Sequence, residues 1–65
     1  MKTITQMQDE KKALVRKIEA MREQVTNEKR DLSEDERESI QGKLSQIKEL
    51  NADIELQQSI ESTID

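Results

Sequence analysis

Sixty-five residues with 31 % apolar content, no aromatic residue, no Cys, no Pro, no His and a single Gly hold little material for a private hydrophobic core. The missing His and Cys remove the commonest general base, the thiolate nucleophile and most zinc ligand sets, and no run of about 18 apolar residues exists to span a membrane. Charged residues make up 40 % of the chain with a formal net charge of -4, so the pattern of the apolar residues must distinguish a folded module from a disordered segment.

From Ile4 the positions Ile4, Met7, Lys11, Leu14, Ile18, Met21 and Val25 follow one another at alternating steps of three and four. This is a heptad seam, and the residues between (Gln8, Asp9, Glu10, Lys12, Arg16, Lys17, Glu19, Arg22, Glu23) are helix formers suited to a wet face. A first helix over about 4–28 is expected. Lys11 is its one polar seam residue: it either lays its methylenes along the seam with the ammonium in solvent, or fixes register. Nothing alternates with period two, so no strand is predicted.

The period stops at Thr26-Asn27, and a link is expected at about 29–32. Ser33-Glu34-Asp35-Glu36 then forms a capping box: the Ser33 hydroxyl accepts from the Glu36 N–H, and the Glu36 carboxylate reaches back to the Ser33 N–H. Three acidic residues in that first turn suit the positive end of the helix dipole. The cluster Asp31, Glu34, Asp35, Glu36 and Glu38 is the only concentrated acidic constellation, and a solvated helix start explains it better than a cation site. It lacks the spacing and central Gly of a calcium loop, and no metal ligand set is assigned.

A second seam follows at Ile40, Leu44, Ile47, Asn51 and Ile54, widened by Leu50, in a helix over about 33–60. Asn51 either sets register or lies exposed where the seam dissolves. Gly42 falls inside this helix at a cost of about 1 kcal/mol relative to Ala, too little to break it. Past Ile54 the seam positions become Gln58 and Glu61, while Leu56, Ile60 and Ile64 recur every four residues on another side. That tail is either a second contact surface or an end whose apolar residues matter only in a longer chain.

The expected fold is all-α: one antiparallel two-helix coiled-coil hairpin over residues 1–65, associating into a helical bundle. Its helix–helix interface comprises Ile4, Met7, Leu14, Ile18, Met21, Val25, Ile40, Leu44, Ile47 and Ile54. A second interaction surface comprises Val15, Leu50, Leu56, Ile60 and Ile64, and Ser33 and Glu36 form the cap. Two registers remain open, one with Ile18 opposite Ile47 and Val25 opposite Ile40, the other with Ile18 opposite Ile40 and Leu14 opposite Leu44. Residues 1–30 carry eight Lys/Arg against five Asp/Glu, whereas residues 31–65 carry three against ten. This asymmetry favours folding the second half back on the first, with Lys11-Lys12 and Arg16-Lys17 as partners of the acidic half, and it opposes a continuous nucleic-acid surface.

The order of features resembles a known family. A Lys/Glu-rich amphipathic helix with Ala13-Leu14-Val15 at its centre, then Arg30-Asp31-Leu32-Ser33-Glu34-Asp35-Glu36, then Leu44, Ile47, Leu50 and Ile54, is similar to the N-terminal delta domain of HK97-type tailed-phage major capsid proteins. In that family the link commonly reads Arg-Asp-Leu-Ser/Thr-x-Glu-Glu; Arg30 to Ser33 and Glu36 fit, and Asp35 stands where Glu is usual. The resemblance implies a built-in scaffold whose helices associate inside the procapsid, in the host cell cytoplasm, and are often removed by a maturation protease. It implies partners of its own kind and capsid subunits and needs no catalytic residue, which agrees with the reading of the residues: no cofactor, nucleic acid, membrane or small-molecule substrate is expected. The sequence stops at Asp65, before any shell-forming domain, as an excised fragment, a cleaved product or a separate small protein would. The alternative function is a coiled-coil adaptor or regulator whose acidic second helix binds a basic protein.

Overall fold

The computed structural model describes residues 2–64, and among them every regular element is a helix: α1 over Ile4–Asn27 and α2 over Glu34–Ile64. The two pack along their lengths into a hairpin measuring 52 × 17 × 15 Å. Helix α1 starts with its own capping box. The Thr3 hydroxyl accepts from the Gln6 backbone N–H at 3.1 Å, and the Gln6 side-chain oxygen accepts from the Thr3 N–H at 3.0 Å. That Thr-x-x-Gln signature stands in the sequence and was not among the expected start signals.

Helix α1 ends in a Schellman motif built without glycine. Lys29 adopts φ 54°, its N–H donates to the Thr26 carbonyl at 3.1 Å, and the Arg30 N–H donates to the Val25 carbonyl at 3.2 Å. A left-handed residue is usually Gly at this position, because any Cβ crowds the following carbonyl. Three residues after Lys29 the Leu32 side chain is half-buried, and Ser33 caps the start of α2.

The hairpin is antiparallel, because the start of α1 meets the far half of α2. Gln57 Nε2 donates to the Lys2 carbonyl at 2.6 Å, and Met7 packs with Leu50 and Ile54, flanked by Ile4 and Leu14. With Met7 set between Leu50 and Ile54, equal rise along both helices brings Ile18 about level with Gln41, beside Ile40, and Val15 about level with Leu44. This offset lies close to the register with Ile18 against Ile40, but the Leu14–Leu44 pairing expected with it does not form, because Leu44 is turned outward; the alternative with Ile18 against Ile47 does not match this offset. Helix α2 continues to Ile64 rather than stopping near residue 60, so its last two turns run past the level of Lys2. No Pro or Gly stops it, and a helix continues until a residue or a cap ends it.

Among the described residues four side chains are buried: Met7, Val25, Leu50 and Ile54. Three of them gather at the end far from the link, and Val25 lies at the link end. Between these ends Leu14, Ile18, Met21, Ile40 and Ile47 are half-buried. No described polar or charged residue is buried, so the core contains no desolvated charge to offset. Gly42 is helical with nothing within 4 Å of where a Cβ would stand, which removes close helix approach as its explanation. Gly42→Ala is therefore expected to raise unfolding free energy by about 1 kcal/mol, as urea titration at fixed protein concentration would read.

Candidate interaction surface

One side chain bridges the two ends of the link. The Arg30 guanidinium grips Glu36 with both ends of its fork, Nη1 to Oε1 at 2.7 Å and Nη2 to Oε2 at 3.0 Å. Its Nε donates to Glu28 Oε2 at 2.6 Å, and Nη1 also reaches the Asp31 carbonyl at 3.2 Å. Glu36 meanwhile serves the capping box, accepting from the Ser33 N–H at 2.9 Å while its own N–H donates to the Ser33 hydroxyl at 3.2 Å. Arg30 ties the end of α1 to the start of α2 through Glu36, a role for which periodicity gives no signal.

This geometry sets the titration of Glu36. The Arg30 hydrogen bonds and then the Ser33 backbone N–H hold its carboxyl down at about 2, against an ordinary 4.5, and the same pairing with Glu36 and Glu28 raises the Arg30 pKa. A carboxyl whose folded pKa is depressed stabilises the fold above its unfolded value and loses that contribution as pH falls through the folded value. The expected loss runs from about pH 4.5 down to about 2. Glu36→Gln should remove this part of the acid sensitivity, and Arg30→Ala should move the Glu36 midpoint, followed by carboxyl NMR, back toward 4.5. An unmoved midpoint would show that the fork does not persist in solution.

The seam of α1 faces α2 as its spacing requires: Met7 and Val25 are buried, and Ile4, Lys11, Leu14, Ile18 and Met21 are half-buried. The seam of α2 is rotated from the expected one. Leu44, expected at the interface, is 52 % exposed, while Leu50, expected on a second surface, is 9 % exposed between the helices. The face that meets α1 runs through Ile40, Lys43, Ile47, Leu50, Ile54 and Gln57. This rotation places Leu50 rather than Asn51 deepest, so the Asn51 amide sits at the edge with access to water. Lys43 fits the seam by its aliphatic stem, with its ammonium donating to the Ser39 hydroxyl at 2.7 Å. Val15, also expected on the second surface, is half-buried beside the seam.

Leu56, Ile60 and Ile64 are 56 %, 44 % and 77 % exposed. At steps of four they form one ridge along the end of α2. At its inner end the ridge joins a groove of about 690 Å³ between the helices. Met7, Ala13, Leu14, Leu50 and Leu56 supply the apolar lining; Glu10 and Lys17 of α1, with Lys2 just ahead of it, stand on one wall, and Glu49 and Asp53 on the α2 wall. Leu44 lies on the opposite flank, about 120° around α2 from Leu50.

The charge asymmetry of the halves is not expressed as ion pairs between the helices. Among the described residues the ion pairs are Lys2–Glu10, Arg30–Glu28 and Arg30–Glu36, all local in sequence. Lys11 lies in the seam and Lys12 and Arg16 are exposed, all without an ion pair to α2. The expected pairing of that basic run with the acidic half is thus absent among the described residues: Lys12 and Arg16 stand exposed to solvent, where an ion pair gains little. Lys17, Glu49 and Asp53 line the groove without forming any ion pair among the described residues.

The chain exposes 5408 Å² of surface. A compact monomer of its 7.6 kDa would expose about 4,300 Å². The excess, about 1,100 Å², is comparable to what one partner buries in a stable protein interface, ~800 Å². No helix among the described residues is long and apolar enough to cross a membrane, and no three acidic side chains converge there as a cation site.

These features define a helical hairpin with an uncovered apolar face. Comparison of the chain with protein-family models, with curated proteins and with solved structures gives no match.

Proposed function

We propose that this hairpin is a non-enzymatic assembly module that self-associates by helix packing, acting as the delta-type scaffold that its sequence resembles and guiding phage capsid assembly inside the procapsid. The observation that carries the reading is the uncovered ridge Leu56, Ile60 and Ile64, continuous with the groove over Met7, Leu14 and Leu50. Two helices can shield only one stripe of each other, and a third and fourth helix from another copy would cover what remains. The link motif also has a mechanical use that suits a module of this kind: Arg30, Ser33 and Glu36, which carry the resemblance, are joined in one hydrogen-bonded cluster that fixes the hairpin. Each contact is modest, as befits a scaffold that is later dismantled, and many copies on one shell multiply it.

Sedimentation equilibrium over a concentration series, at moderate and at high salt, tests the reading. Association that rises with concentration and survives salt is expected, because apolar packing is not screened. A hairpin that stays monomeric to millimolar concentration would refute it. The adaptor reading is favoured by one separate observation: among the described residues no acidic side chain of α2 pairs with α1, and apart from Glu36, which Arg30 holds, this leaves them available to a basic protein. Docking of that kind would weaken steeply with salt.

A further inference from the structure

We infer that the groove between α1 and α2 is the docking surface for a second copy of this chain, and that the two copies stack with α1 of each lying over α2 of the other, both links at the same end. The inference rests on the self-association proposed above and adds which face is used and how the copies are oriented. Two closed arrangements bring groove to groove. With the two-fold axis parallel to the helices, α1 of one copy faces α2 of the other. With the axis across the helices, α1 faces α1, α2 faces α2, and the links lie at opposite ends.

Charge decides between them. The α2 wall of the groove carries Glu49 and Asp53, the α1 wall carries Lys2, Lys17 and Glu10, and Glu10 is already paired with Lys2 at 2.7 Å. Along the whole elements the contrast is the same. Ile4–Asn27 contains five Lys/Arg against four Asp/Glu, and Glu34–Ile64 contains three against eight. Facing α2 on α2 would set acidic wall against acidic wall across an apolar contact, where like charges oppose docking. Facing α1 on α2 gives the unpaired Lys17 acidic neighbours within the range of unscreened attraction.

Size and continuity agree with this occupant. A face of 52 × 17 Å is on the order of the ~800 Å² per partner that a stable interface occupies. The same-end arrangement also brings the two α2 ridges, Leu56, Ile60 and Ile64, to one end of the assembly, where they extend past the level of Lys2 and are free to meet.

The sequence contains no Cys, so a nitroxide on Asp31→Cys in the exposed link reports one distance between copies, and a second on Gln58→Cys, also exposed, repeats the measurement at the other end. Helicity by circular dichroism and the sedimentation series accompany each labelled protein. Pulsed dipolar spectroscopy on the full chain should give narrow distances below about half the 52 Å length at both positions. A link-to-link distance near that full length would overturn the arrangement while leaving self-association standing, and so would a broad distribution without a preferred separation. A monomer throughout the series would overturn the self-association itself. In support of the charge argument, Glu49→Lys with Asp53→Lys should weaken association at least tenfold at low salt, and adding Lys17→Glu should recover most of it; absence of both effects would overturn the assignment of the groove.

Discussion

Met7→Ala and Ile54→Ala are each expected to lower the unfolding free energy by about 2–4 kcal/mol. Both belong to the cluster of buried side chains at the end far from the link, where Met7 is 2 % and Ile54 8 % exposed. Truncation there removes apolar burial and leaves a gap that a two-helix core has few neighbours to fill. At about 0.05–0.15 kcal/mol per residue a chain of this size holds only ~3–10 kcal/mol, so either loss is a large share of the whole. Leu44→Ala, at a site 52 % exposed, should change stability by no more than about 0.5 kcal/mol. Thermal and urea melts at matched low concentration give the comparison, since association would otherwise add to the apparent stability. Equal losses for Leu44→Ala and Met7→Ala would mean that α2 presents the other face to α1.

Replacing Leu56 and Ile60 together by Ser should leave the hairpin folded and abolish most of its association. Within one hairpin both side chains remain about half exposed, so the fold loses little beyond helix propensity, below about 1 kcal/mol. In a two-fold assembly each is buried twice. Four apolar side chains at roughly 1 kcal/mol each amount to ~4 kcal/mol, which weakens the dissociation constant by on the order of 10²–10³. Leu44→Ser, on the opposite flank, serves as the control and should associate as the parent does. Sedimentation of the three proteins side by side reads the effect. If the double Ser variant associates with parental affinity, the ridge is not a contact surface and the adaptor reading takes its place.

Much of the hairpin is legible in the sequence because its signals are local. The steps of three and four from Ile4 to Val25, the loss of period at Thr26-Asn27, and the Ser33–Glu36 capping box each act within a turn or two of chain. The rotation of α2 is different, since two ladders share Ile40, Ile47 and Ile54. One adds Leu44 and Asn51, the other Lys43 and Leu50. Both satisfy the spacing, and apolar count favours neither. What separates them is that α1 admits a single stripe, and burying Leu50 with the stem of Lys43 avoids drawing the Asn51 amide into the seam. That comparison needs the partner helix in place. The groove was hidden for the same reason, because Lys17, Glu49 and Asp53 share a site only once register brings their helices together. The Arg30 fork depends on the left-handed backbone at Lys29, which a Lys in the sequence does not announce.

The distance between the link and the far cluster gives the turn a demand that its size conceals. From Ser33 to Ile54 the chain climbs about 32 Å of rigid helix, so an angular error of about 10° at the link would displace the distal side chains by about 6 Å, more than a packed contact tolerates. The hairpin behaves as a pair of tongs whose grip is at the tips and whose aim is set at the pivot. The Schellman bonds from Lys29 and Arg30, the Arg30 fork and the Ser33 cap leave the pivot little angular play. One residue inserted between Asp31 and Leu32 would therefore be felt most at Met7, Leu50 and Ile54, far along the rods from the lesion.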